Sequence, residues 1–171
     1  MFSDDLLAQA TQLASIDTLK PRQANLRRAV SAVYYSVFHA LVHEACAVQI
    51  GSQPGSAAFR HVLGRAFVHG TMKQACAAFG GGTLKAAVTK GLPTPLVIPQ
   101  EIRQLAALFA NLQEQRHSAD YDLTERFRRA DVLTLIDDAQ RRLADFSALP
   151  MTDTKRFFLA CLWAWRELTN R

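Results

Sequence analysis

A chain of 171 residues and 19.0 kDa is about one domain's worth of sequence, since domains most often run to ~100–150 residues. With 49% apolar residues, 20% charged residues, 8 Gly and 6 Pro, it has the composition of a folded, soluble protein, which excludes collagen-like, disordered and disulfide-scaffold classes. The net charge of +5 has one location: between Glu44 and Glu101 there is no Asp or Glu, whereas Arg60, Arg65, Lys73, Lys85 and Lys90 fall inside that gap. The remaining 15 basic residues match the 15 acidic ones.

That middle segment admits two readings. One is a surface for a polyanion such as RNA, because phosphate contacts by Arg and Lys release counterions and supply sequence-independent affinity. The other is a solubilising basic face. The longest strongly apolar run, Phe157 to Trp165, is far short of the ~20 residues a membrane-spanning helix needs, so no membrane association is expected. Cys46, Cys76 and Cys161 form no C-x-x-C pair, which fits a reducing cytoplasm better than a disulfide framework or a zinc knuckle.

Apolar residues recur at helical spacing throughout and no alternating strand pattern emerges, so the chain reads as all-α. Ser3, followed by Asp4 and Asp5, serves as the expected N-cap of a first helix to about Ile16. Pro21 suits the first turn of a long second helix to about Ile50, stopped by Gly51 and the Gly/Ser/Pro stretch to Ser56. A third runs from about Ala57 to Phe79, with Gly64 and Gly70 as weak points. The stretch 80–99, with four Gly and three Pro, is longer than ordinary connections and reads as a functional or mobile loop. Pro99 opens a fourth helix to Tyr121. Asp122 and Glu125 resemble a capping box for a fifth, to about Leu149. A sixth, from about 152 to 169, is apolar around most of its circumference and should be buried. The expectation is a single domain over 1–171, an antiparallel helical bundle of five to six helices.

The second helix is not uniformly apolar. At 100° per residue, Arg28, Ser31, Tyr35, His39 and His43 lie within roughly 60° of one line, while Val30, Val33, Val37, Leu41 and Val48 lie opposite. Polar groups in such a line need hydrogen-bonding partners, and Arg116, His117, Asp120 and Tyr121 near the end of the fourth helix can supply them. Asp120 is expected to orient Arg116 by a charge-assisted hydrogen bond.

The pattern Arg28-x-x-Ser31-x-x-Tyr34-Tyr35-x-x-Phe38-His39, followed by Arg116-x-x-x-Asp120-Tyr121, resembles the HEPN superfamily over approximately Lys20 to Phe146. The resemblance implies a helical bundle that commonly forms a homodimer, with its functional cleft between subunits. It also implies either an RNA- or nucleotide-binding module or a metal-independent endoribonuclease of toxin–antitoxin and defence systems, with no cofactor, no metal, and a nucleotidyltransferase as candidate antitoxin partner. Arg116 and His117 match the first two places of the ribonuclease motif, but Tyr121 stands where its His belongs. Cleavage through the 2′-hydroxyl needs a proton acceptor working near neutral pH and a cation for the developing charge. A guanidinium meets the second need, whereas a phenol is a poor base. The candidate catalytic set is therefore Arg116, His117, Asp120 and Tyr121, the cleft set Arg28, Ser31, Tyr35 and His39, and a binding or regulatory role competes closely with catalysis.

Four weaker signals complete the reading. His39, His43 and Cys46 share a helix face, but only these three candidate zinc ligands are local, so packing histidines are favoured. His61, Arg65 and His69 recur every four residues as a possible basic ridge. Arg126, Arg128 and Arg129 open the fifth helix against its dipole, as if to meet an anion or acidic partner. Phe157, Phe158, Trp163 and Trp165 read as core or dimer contacts rather than base-stacking groups.

Overall fold

The computed structural model describes residues 1–170, and these form eight α-helices with no strand among them. They are α1 (Phe2–Ser15), α2 (Gln23–Ile50), α3 (Ala57–Gly64), α4 (His69–Gly81), α5 (Ala86–Thr89), α6 (Gln100–Tyr121), α7 (Arg129–Ala148) and α8 (Asp153–Thr169), with a 3-10 turn at Pro54–Ser56. The all-α expectation holds, but the helix number is higher than five to six. The expected third helix breaks after Gly64 and restarts at His69, and the Gly/Pro-rich stretch 80–99 contains the short α5. The break places His69 on a different helix from His61, so the predicted ridge of His61, Arg65 and His69 does not exist as one helix face.

Two boundaries differ for physical reasons. Met1, not Ser3, stands at the N-cap of α1, and its ammonium pairs with Asp4 at 2.8 Å. Ser3 is buried, and its carbonyl accepts the Ser36 hydroxyl at 2.7 Å, tying α1 to α2. Asp122 does not open α7. Its Oδ1 accepts from the backbone N–H (2.9 Å) and hydroxyl (2.6 Å) of Thr124, making a local turn. The helix begins only at Arg129, beyond an irregular segment that contains Arg126 and Arg128.

The residues cluster into two compact units. One comprises Met1–Ala40 and Asn111–Asp145; the other comprises Leu41–Ala110 and the chain from Phe146 onward. In the first, α1 buries Leu7, Ala10 and Ala14 at three- and four-residue spacing, and α2 buries Leu26, Ala29, Val30, Val33 and Val37. The connection from α6 to α7 is pinned to α2 at two points. Gln23 donates to the Phe127 carbonyl and accepts from its N–H, both at 2.9 Å. Arg27 donates to the carbonyls of Ala119 (2.8 Å), Asp122 (2.8 Å) and Glu125 (2.7 Å), with a longer bond to Ser118 at 3.4 Å. One guanidinium thus satisfies a carbonyl in the last turn of α6 and two more in the connection that follows it.

In the second unit, α4 packs on α8, with the Phe79 ring edge-on to Phe158 at 5.0 Å and tilted to Trp165 at 6.4 Å. Phe158, Leu159, Cys161, Leu162 and Trp165 are buried, which agrees with the apolar reading of this helix, and Thr152 caps it by accepting the Lys155 N–H. Close approach of α4 to α6 depends on Gly80, where an added Cβ would lie 2.8 Å from the Ala107 nitrogen. The pattern did not reveal Lys155 as a core residue. Its ammonium is buried, donates to the carbonyls of Phe146 (2.8 Å) and Leu149 (3.0 Å), and pairs with Glu44 at 2.8 Å. All three of its donors are used. No helix among the described residues is long and apolar enough to cross a membrane.

Candidate functional site

The first unit brings together the two motif-bearing helices through four side chains. Ser31 and Tyr35 lie one turn apart on α2; Arg116 and Asp120 lie one turn apart on α6. The Ser31 hydroxyl donates to Asp120 Oδ1 at 2.8 Å, and Arg116 Nη2 donates to the Tyr35 hydroxyl at 3.3 Å. Between them, Arg116 Nε lies 2.7 Å from Asp120 Oδ2. The Nε–H is not directed at that oxygen and has no hydrogen-bond acceptor. The contact is consequently an ion pair, not the expected charge-assisted hydrogen bond. Ser31 is buried and Tyr35 half-buried, whereas the side chains of Arg116 and Asp120 keep 25% and 21% of their surface. This is a network at the surface, closed on the α2 side and reachable on the other.

Around it stand the remaining predicted residues. The Tyr121 ring, 65% exposed, has its centroid 6.0 Å from Arg116 Cζ, and the exposed His117 ring lies 4.9 Å from that of Tyr121. His39 is half-buried on α2, with ring centroids 5.0 Å from Phe2, 5.3 Å from Phe38 and 6.3 Å from Tyr35. Burial holds its imidazole below the ordinary histidine pKa, favouring the neutral form. Arg28 is exposed and makes no hydrogen bond to the cluster among the described residues. Of the eight predicted site residues, Ser31, Tyr35, Arg116 and Asp120 are thus joined directly, Tyr121, His117 and His39 are ring neighbours, and Arg28 stands apart.

The predicted basic surface behaves unevenly. Arg65, Lys85 and Lys90 are exposed and Lys73 is half-buried. Arg60 is committed to the fold, since its Nη1 donates to the carbonyls of Gly51 at 2.6 Å and Gln53 at 3.0 Å. Arg126 and Arg128 are exposed beside the half-buried Phe127, while Arg129 reaches back to the Asp17 carbonyl. No group of three His, Cys, Asp or Glu side chains among the described residues gathers to hold a metal. All three thiols are buried; burial raises Cys46 and Cys76 above the ordinary value and pushes Cys161 up to about 12.

Two residues that position the site escaped the sequence reading. Arg27 braces the end of α6 that carries Asp120 and Tyr121, and its signal was present: it precedes Ser31 by four residues, next to it on the helix surface. Gln23, one further turn back, holds the following connection. The arrangement can orient a guanidinium beside a phenol and an exposed aromatic pair, which suits a phosphate-bearing ligand more than an apolar one. Comparison with protein-family models, with curated proteins and with solved structures finds no match for this chain.

Proposed function

We propose that the protein is a HEPN-like RNA- or nucleotide-binding module, non-catalytic or regulatory, acting as a homodimer in a toxin–antitoxin or defence setting with a nucleotidyltransferase as partner. The observation that carries this reading is the held but incompletely covered Arg116 guanidinium. Asp120 and Tyr35 restrict its position, and a quarter of the side chain remains open to an incoming phosphate. The fixed planar fork reduces the ordering cost of binding an anion. Tyr121 and His117 offer exposed rings for a base next to that phosphate.

A non-catalytic role is preferred because the residue in the family's base position is an exposed tyrosine whose hydroxyl bonds to no carboxylate or imidazole among the described residues. One observation favours the endoribonuclease alternative: His39 is held neutral by burial and therefore able to accept a proton, with its ring 6.3 Å from Tyr35.

The test is a titration of fluorescein-labelled RNA oligonucleotides with the full chain in EDTA at increasing salt, followed by electrophoresis of the RNA. Binding that weakens linearly on a log–log salt plot, with intact RNA, is expected, each neutralised phosphate of a single strand adding about 0.7 to the slope. Cleavage would transfer the assignment to the endoribonuclease reading. Absence of binding even at low salt would exclude both.

A further inference from the structure

Helix α3 buries none of its eight residues. Its inner side is nevertheless fixed. Arg60 anchors it to the Gly51 and Gln53 carbonyls, Leu63 is half-buried, and a Cβ on Gly64 would touch Val42 Cγ1 at 3.5 Å. On the outer side Ala58, Phe59 and Val62 are all exposed, Phe59 at 67% and Val62 at 62%, and Ala66 in the turn that follows is exposed as well. At 100° per residue Ala58, Phe59 and Val62 cover about 100° of arc, the width of stripe that an amphipathic helix normally turns toward a core. So short a helix is marginal by itself, and this one presents its apolar stripe to water.

Charge indicates what would cover it. His61 and Arg65, both exposed, border the stripe on the Ala58 side, and no Asp or Glu occurs anywhere from 45 to 100. A second copy of the same face would bring like charges together, which disfavours self-association there. We infer that the outer face of α3 is a docking surface for an acidic amphipathic helix of another protein, with Phe59 and Val62 as anchors in its apolar seam and Arg65 and His61 meeting its carboxylates. This surface is independent of the Arg116 network and does not require RNA.

Two synthetic helical peptides of equal length test it, one with Leu at i, i+3, i+4 and i+7 and Glu elsewhere, the other with every Glu replaced by Lys. The full chain should bind the Glu peptide and not the Lys peptide. Phe59→Ser and Val62→Ser should each weaken binding by about tenfold, the usual scale for an anchor residue. Arg65→Glu should weaken it and flatten its salt dependence. Because these side chains are exposed, circular dichroism should be unchanged in each variant. The inference is overturned if the two peptides bind equally, if the Glu peptide does not bind, or if the Ser variants bind it as well as the parent. It is also overturned if phosphatidylserine vesicles bind this face in its place, or if sedimentation shows that Phe59→Ser dissociates a dimer of the chain.

Discussion

Arg116 and Tyr35, 81 positions apart, meet through a single hydrogen bond from Nη2 to the phenol oxygen at 3.3 Å. This contact and the Ser31–Asp120 bond link the motif on α2 directly to the motif on α6. Tyr35→Phe removes the acceptor and leaves the ring in place. The bond is long and part-buried, so we expect a loss at the low end of ~0.5–1.5 kcal/mol in urea unfolding, with an unchanged circular dichroism spectrum.

The two oxygens of Asp120 serve different partners, Arg116 and Ser31. Their effects should therefore not add. A double-mutant cycle of Ser31→Ala and Arg116→Met should show a coupling of at least about 0.5 kcal/mol through the shared carboxylate. Strict additivity would mean that the network carries no common energy.

Arg27 is expected to be irreplaceable by lysine, because one ammonium cannot reproduce a fork that reaches the Ala119, Asp122 and Glu125 carbonyls together. Arg27→Lys should cost about 1–2 kcal/mol in denaturant unfolding. Amide hydrogen exchange should accelerate selectively in residues 119–127, the segment this side chain holds.

Lys155 and Glu44 make the most costly pair to break. Lys155→Met leaves Glu44 without its cation and the Phe146 and Leu149 carbonyls without their donor. Removal of one partner from a buried pair costs ~3–5 kcal/mol; because Glu44 keeps 26% of its side-chain surface, the lower end is expected. Adding Glu44→Gln should recover part of the loss. Gly80→Ala should be destabilising by about 1–3 kcal/mol through overpacking on the Ala107 backbone.

Cys161 supplies a pH dependence with a defined sign. Its thiol titrates near ~8.5 when unfolded and at about 12 in the fold, because burial disfavours the thiolate. The folded state therefore holds the proton more tightly. The contribution to stability is complete below the unfolded value and is lost as pH rises from about 8.5 toward about 12. Over that window the parent should lose stability more steeply than Cys161→Ala, by at most ~1.4 kcal/mol per pH unit.

Much of this architecture is legible in the chain, and the exceptions have identifiable causes. The start of α8 near 152 and its burial follow from local sequence, and the polar line through Ser31 and Tyr35 follows from helical spacing, with Arg116 and Asp120 as the partners such a line needs. Asp122 fits a helix-cap pattern but does not cap α7, because Thr124 satisfies the same oxygen within two residues and Arg27 takes the Asp122 and Glu125 carbonyls from a distance. Lys155 was hidden because a charged residue in the first turn of a helix ordinarily reads as exposed, and its partners lie on α2 and at the end of α7. Arg28 matches the family pattern as well as Ser31 does, yet it stands exposed, because a shared motif position fixes the residue type without fixing what it touches.

The central claim is that the Arg116 guanidinium receives a phosphate. Its most direct test is the affinity of the parent, Arg116→Lys and Arg116→Ala for one labelled RNA oligonucleotide across a salt series. We expect Arg116→Ala to bind at least about tenfold more weakly, with a salt slope lower by about 0.7, and Arg116→Lys to keep the slope but not the full affinity. Equal affinity and equal slope for the parent and the folded Arg116→Ala variant would contradict the account and leave the cluster as a tie between α2 and α6.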